Sequence, residues 1–343
     1  MSDKKDLKKS NKDKPKPALK APQINIPEGF DLTHKRNALG ISIEEDRIIA
    51  LQALISGKSI SISSADEEKF QPGIVKNGRI ENPAAIVTAF KTLKKRAKFN
   101  AYVASINIPS HFFTLKEFDT PEGYFVEDND NLQWEMGQHI NDNPASYKIR
   151  SVQTGEGKIG QKILAVASRT GFLDERMRLL ISLGLSPCAI EPDIIAAYNA
   201  LSVIFIDYPS DKFLIVDISA PFTSFCMVVN GDFIPGGLFH TPKEVISGED
   251  GAFELAQVMT QAFNKHFAIH GYVLGKKSPE MLIASGCYAE AYLVSQMGNY
   301  MNMQVFDTDP FKSSWVDISK LKTTVPWPRL IKPFGMAMRS PYV

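Results

Sequence analysis

Apolar and polar positions change period several times along the chain, and each change predicts an element. Ala38–Ile43 is almost unbroken apolar. Arg47–Ala53 and Ser59–Ser63 follow behind turn signals at Glu44-Glu45-Asp46 and Ser56-Gly57-Lys58, which predicts strands joined as hairpins. Asn82-Pro83 then supplies a side-chain cap and a proline suited to a first helical turn. Ile86, Phe90, Leu93 and Ala97 fall at i, i+4, i+7 and i+11, one stripe of a helix whose far side carries Lys91, Lys94, Lys95 and Lys98. Those lysines read as a solvated face.

Tyr102, Ala104, Ile106 and Ile108 alternate as a strand, with Phe112–Phe118 expected as its neighbour. Thr120–Asp130 reads as an acidic loop and Asn131–Ile140 as a short helix anchored by Trp134. Ile163–Ala167 is a buried strand. Leu173, Met177, Leu180 and Ile181 mark the apolar face of the next helix, Gly184 its C-terminal cap, and Ile194–Val203 a further helix. A second unit starts near Ile206. Strands are expected at Phe213–Ile218, Phe222–Val229 and Phe233–Phe239, with a hairpin turn at Asn230-Gly231-Asp232. Leu255, Val258, Met259, Ala262 and Phe263 share a helical face. Met281–Ala284 is a strand, Tyr288–Met297 a helix and Met303–Phe306 a strand. Both halves mix strands and helices in the same way, which predicts two related α/β lobes, each a mixed sheet covered by helices.

A length of 343 residues is ordinary for two such lobes. Lys+Arg is 39 against Asp+Glu 38, so the whole-chain charge makes no case for nucleic acid. The lysines are unevenly placed: Lys4, Lys5, Lys8, Lys9, Lys12, Lys14, Lys16 and Lys20 crowd the start. That segment has little to bury, so residues 1–37 are expected to be a disordered basic tail. It reads as a solubilising tail, with weak contact to anionic lipid or nucleic acid as the alternative. It lacks the apolar stretch of a signal peptide, and no apolar run reaches the ~18 residues of a membrane span. Cys188, Cys226 and Cys287 sit among apolar neighbours and read as reduced, buried thiols of a cytoplasmic protein.

Three strand-to-turn segments carry the candidate chemistry: Leu39–Glu44, Phe213–Ala220 and Met281–Cys287. An apolar strand ending in a small-residue turn is one way to bring backbone N–H groups to a phosphate. Three of them predict a two-lobed nucleotide cleft. No Walker-type run supports a different phosphate site. His266 and His270, at i, i+4, lack a third ligand nearby in sequence and read as surface or packing residues rather than a zinc site. Gly236-Gly237 reads as a turn. Glu191 and Asp193 flank Pro192 without a spacing that pairs carboxylates for acid–base work, and Met297, Met301 and Met303 read as gap fillers.

Several strings, in order, resemble the PilM family, actin-like cytoplasmic proteins of type IV pilus assembly that are themselves similar to FtsA. Leu39-Gly40-Ile41-Ser42-Ile43 stands where the family has an L-G-I-D-I-G type turn, and Val75–Pro83 resembles its run into the first helix. Ala104–Pro109 stands at its A-I-P strand end. Asn131–Ile140 is similar to its I-x-W-E-x-x-Q-Y-I helix. Ala165–Arg169, Leu179–Pro187, Glu191-Pro192 and Val216–Ala220 match further strings, so the resemblance spans about Ala38 to Arg339. It implies an actin-like (ribonuclease H-like) two-lobed α/β fold. The expected division is a first lobe from residues 38–72 and 158–205, a small subdomain inserted at residues 73–157, and a second lobe over residues 206–343 with a reduced capping subdomain.

The resemblance also implies which residues to test for ATP and Mg²⁺. In the family the first turn carries a metal-side aspartate and a phosphate-facing glycine. Here Ser42 and Glu44 hold those positions, after Gly40. A carboxylate turned toward phosphate at ~4 Å is a repulsion of about 4 kcal/mol per charge pair at an effective dielectric of 20. Asp217 is kept in the second turn, but Ser219 replaces glycine and Pro221 lacks an N–H. In the third, Ser285-Gly286-Cys287 stands for S-G-G-G. The expectation is a degenerate nucleotide site, no resident cofactor and no ATP hydrolysis.

The family's role implies a scaffold of a type IV pilus or type II secretion-like machine. Its partner would be the N-terminal cytoplasmic peptide of a PilN-like bitopic inner-membrane protein, alongside other platform proteins. The peptide groove is expected between the inserted subdomain and the first lobe, near Val103, Ile106, Ile108, Phe113, Leu115, Trp134, Tyr147 and Ile149. Two rival readings are an actin-like ATPase, resting on Asp217, and an FtsA-like membrane-associated filament protein. The latter needs a C-terminal amphipathic helix, where the chain has Arg339-Ser340-Pro341-Tyr342-Val343.

Overall fold

The computed structural model describes residues 36–339, apart from 57–58, 122–128, 141, 158, 205–209, 211, 275–278, 308 and 313–315. The basic tail, and with it the lipid contact, lies outside the described residues but for Arg36 and Asn37.

The first half opens with β1 (Arg36–Ile43), β2 (Arg47–Ser56) and β3 (Ser59–Lys69), then a small hairpin of β4 (Val75–Lys76) and β5 (Arg79–Ile80). Helix α1 (Pro83–Ala97) starts where Asn82 accepts the Ala85 N–H. β6 (Val103–Ile108), β7 (Phe113–Pro121), α2 (Asn129–Gly137), β8 (Tyr147–Glu156) and β9 (Gly160–Arg169) follow. α3 (Thr170–Ser182), β10 (Ser186–Pro192) and α4 (Asp193–Ile204) complete it. The second half contains β11 (Lys212–Ile218), β12 (Phe222–Val229), β13 (Asp232–His240), α5 (Lys243–Ser247), α6 (Ala252–Phe267) and β14 (Met281–Ser285). It ends with α7 (Ala291–Met301), β15 (Gln304–Val305), β16 (Val316–Asp317) and α8 (Trp327–Ala337).

The two halves repeat one topology. The first sheet runs β3-β2-β1-β6-β10 and the second β13-β12-β11-β14-β15. In each, the first three strands are antiparallel and the last two lie parallel to the first. β16, from the second half, adds to the first sheet in parallel with β3. The shared strand order is what the matching strand–helix alternation predicts.

Each central strand is buried on both faces, so it reads as a continuous apolar run rather than an alternation. α1 and α3 cover the outer face of the first sheet, with Ile86, Phe90, Leu179 and Leu180 in one core. α6 and α7 cover the outer face of the second. α4 and α8 pack against each other between the sheets and share the largest core with Leu51, Ile62, Ile215 and Ile283. α8, from the second half, rests mainly on β1, β2 and β6 of the first sheet and also reaches β14, while α4 lies between β11 and β12 of the second sheet and β6 and β10 of the first. Gly40 and Gly335 permit this approach, because a Cβ on either would collide with backbone of the facing helix.

The inserted unit differs from the sequence-based expectation of residues 73–157. α1 and β6 belong to the first sheet and its cover, and β6 lies between β1 and β10. The separate unit is the sheet β7-β9-β8 with α2 against it, around Met136, Ile149, Ala165 and Ala167. The alternation at residues 102–108 identifies a strand but not its sheet, so Phe112–Phe118 is not the neighbour of β6. α3 also turns a different face inward: Arg176, Leu179 and Leu180 are buried, while Met177 and Ile181 are exposed.

Candidate functional site

The three strand-to-turn segments converge where the halves meet. β1 delivers Ser42 and Glu44, β11 delivers Asp217 and Ser219, and β14 delivers Ser285 and Gly286. Gly40 lies one turn deeper, beneath α8, and serves packing rather than a ligand. The cleft around them is lined by Ile43, Glu44, Gly78, His111, Asp193, Asp217, Ser219 and Phe222, among others. This small recess has a volume of about 20 Å³ and is partly open to solvent.

Against its carboxylates sits a buried residue that the sequence reading did not single out. Lys332, on α8, is 1% exposed and places Nζ 2.8 Å from Glu44, 3.2 Å from Asp217 and 3.6 Å from Asp193. It also donates to Ser219 Oγ at 3.2 Å. The carboxylates are held from behind. Ser42 Oγ donates to Glu44 Oε1, Ser285 and Ser219 hydroxyls donate to Asp217, and Asn107 Nδ2 donates to Asp193 at 2.9 Å. Asn107 also exchanges hydrogen bonds with the backbone of Ile43, fastening β6 to the end of β1.

One ammonium cannot neutralise three carboxylates equally, and distance orders the result. Burial pushes the Glu44 carboxyl up, but the Lys332 ammonium at 2.8 Å, by charge and hydrogen bond, brings it below its ordinary value. Burial dominates at the more distant pair. Asp217 is raised, and Asp193 is pushed up to about 7 by burial, with Glu44 and Asp217 adding repulsion against the pull of Lys332. Burial alone would lower Lys332, but Asp193, Asp217 and Glu44 hold it well above its ordinary value.

Several other polar groups of the turns have partners within the chain. The Gly286 N–H donates to the Pro328 carbonyl at 3.0 Å, just inside α8. Arg329 donates to the Cys287 carbonyl and pairs with Glu67 at 2.9 Å. Glu45, also on the cleft wall, accepts the N–H groups of Asn77 and Gly78. Arg176, buried on α3, donates to the carbonyls of Gly78 and Asn107. At the mouth, His111 packs against Phe112 on one side and Phe222 of the second half on the other, ring centroids 4.2 and 4.7 Å away.

The expected groove residues are not brought together. Ile106 and Ile108 are buried inside the first sheet and Val103 is half-buried beside them. Phe113 and Leu115, on β7, pack toward the core between the halves. Tyr147 and Ile149 lie with Met136 in the small unit's own core. Trp134 is 64% exposed on α2, not an anchor of its helix. β8 is an edge strand, with Val152 exposed along it. His266 packs edge-on to Phe225 at 5.7 Å, and Cys226 and Cys287 are buried free thiols while Cys188 is half-buried.

No family model matches the chain, and no curated protein matches it. Among solved structures, a chain of the PilM–PilN type IV pilus biogenesis complex superposes with a TM-score of 0.75 at 17% identity, covering 90% of this chain and 99% of that one. Ethanolamine utilization protein EutJ from Carboxydothermus hydrogenoformans gives 0.48 at 11% identity, covering 90% and 92%. The cytoplasmic domain of EpsL, an inner-membrane component of the type II secretion system of Vibrio cholerae, gives 0.47 at 10%, covering 87% and 94%. The fold is the actin-like two-lobed α/β fold, and the likeness to PilM read from the ordered strings returns as likeness of fold.

Proposed function

We propose that this chain is a PilM-like scaffold of a type IV pilus or related secretion machine, working at the cytoplasmic face of an inner membrane through a PilN-like partner. The observation that carries this reading is the superposition on a chain of the PilM–PilN complex over 90% of this sequence. No helix among the described residues is long and apolar enough to cross a membrane, so on this reading attachment comes through the partner. The chemistry of the cleft points the same way. Its carboxylates are engaged by Lys332 and the Gly286 N–H by the Pro328 carbonyl. Magnesium and a triphosphate do not fit that arrangement, so the protein is inferred to be a pseudo-ATPase rather than an enzyme.

For the partner we infer an extended peptide added to the open edge of β8. Backbone hydrogen bonds would give affinity, and Val152 and Trp134 would give apolar contact. The test is calorimetric titration of the full chain with synthetic N-terminal cytoplasmic segments of the bitopic membrane proteins encoded beside it. Saturable binding that a proline in the middle of β8 abolishes, with the melting temperature kept, is the expected result. If none of the segments binds, the scaffold reading fails in this form.

A further inference from the structure

Glu44 comes from the turn after β1, Asp193 from the start of α4 and Asp217 from the end of β11, so the three carboxylates belong to both halves. All are buried, and a buried carboxylate without a counter-charge is strongly unfavourable. A cluster of this kind demands a cation. The chain supplies the cation itself, from a helix that also occupies the third turn through Pro328 and Arg329. The ammonium bonds Glu44 of one half and Asp217 and Ser219 of the other. Above it, the His111–Phe222 contact bridges the same two halves at the mouth.

We propose that Lys332 is a resident cation standing in place of an exchangeable one, and that α8 thereby holds the interlobe cleft shut from within, independently of nucleotide. The protein is then a constitutively closed body, whatever partner it carries. Nucleotide cannot gate the position of one half relative to the other, because the site through which it would act is filled by the chain.

Two measurements on the full chain decide this. Tyr102 and Tyr292 are exposed on opposite halves. With spin labels at Tyr102→Cys and Tyr292→Cys in a Cys188→Ser background, pulsed dipolar spectroscopy should give one narrow distance distribution, unmoved by millimolar Mg-ATP. A broad distribution, or one that shifts with Mg-ATP, overturns the proposal whether or not any partner peptide binds. The second measurement uses Lys332→Met, which keeps length without charge, and Lys332→Ala, which leaves three carboxylates around a vacated space. Lys332→Met should melt many degrees below wild type at pH 8. Lys332→Ala should regain part of its loss with millimolar ethylammonium or Mn²⁺, neither of which should move wild type. A Lys332→Met protein as stable as wild type, or a folded Lys332→Ala protein indifferent to both cations, refutes the resident-cation role. Variants that fail to fold agree with it, and the dipolar measurement on the lysine-bearing protein then stands as the deciding test.

Discussion

Asp193 is the member of the central cluster that Lys332 serves least, 3.6 Å from Nζ, and its carboxyl is pushed up to about 7 from 3.8. Replacing it by Asn removes the charge and keeps an oxygen to accept the Asn107 side-chain N–H. The sign follows from proton counting. Between the two values the unfolded chain has released the proton and the folded chain still holds it, so stability falls as pH rises from ~4 to ~7 and is level above that. A span of roughly three units at 1.36 kcal/mol each is about 4 kcal/mol. Asp193→Asn, which resembles the protonated form at every pH, should therefore be more stable than wild type by about 4 kcal/mol at pH 8 and by about 1.5 kcal/mol at pH 5. Glu44, Asp217 and Lys332 titrate in both proteins and largely cancel. Urea unfolding of the pair at the two pH values reads the gap directly. An Asn variant less stable than wild type at pH 8, or a gap that does not shrink toward pH 5, refutes the picture of three carboxylates competing for one ammonium.

Other expectations are simpler to measure. Gly335→Ala and Gly40→Ala each drive a Cβ into backbone of the facing helix, and each should lose about 2–3 kcal/mol in urea melts. For Gly335→Ala that loss comes despite the ~1 kcal/mol of helix propensity that alanine adds. Trp134→Ala should change stability by less than about 0.5 kcal/mol, since the ring is mostly exposed. The same variant should weaken binding of the partner peptide by ~2 kcal/mol or more in calorimetry if Trp134 contacts it.

The strands were legible because an apolar run bounded by turn residues needs only local information. The Asn82 cap and the Asn230-Gly231 turn were legible for the same reason. Sheet membership was not: Val103–Ile108 and Phe113–Pro121 both read as strands, and only long-range pairing sends one to β1 and the other to β9. α8 escaped notice because Lys332, Pro333 and Gly335 interrupt its apolar stripe. The interruption is itself the signal. A lone lysine inside Leu330-Ile331-Lys332-Pro333-Phe334 needs a buried anion, and its partners lie far off along the chain, Asp217 being 115 residues away. Arg176 repeats the lesson on α3, where charge on a buried face marks the carbonyls of Gly78 and Asn107. Ser42 and Glu44 were found at the cleft as expected, yet the reading treated Glu44 as repulsive, since it lacked the ammonium that Glu44 meets.

The position of α4 and α8 between the sheets, together with β16 on the edge of β3, bears on how the molecule comes apart. The second half supplies α8 to cover the first sheet and β16 to extend it, while α4 is shared between both sheets. Removing either half strips the inner face of the sheet that remains, so neither half is a complete folding unit. Two lobes joined only by a linker would melt as two bodies, each with its own transition. Here the boundary of cooperativity is expected not to follow the boundary between the lobes but to enclose both, and β7 and β9 of the small unit, through Phe113, Leu115 and Leu164, are tied to the same core.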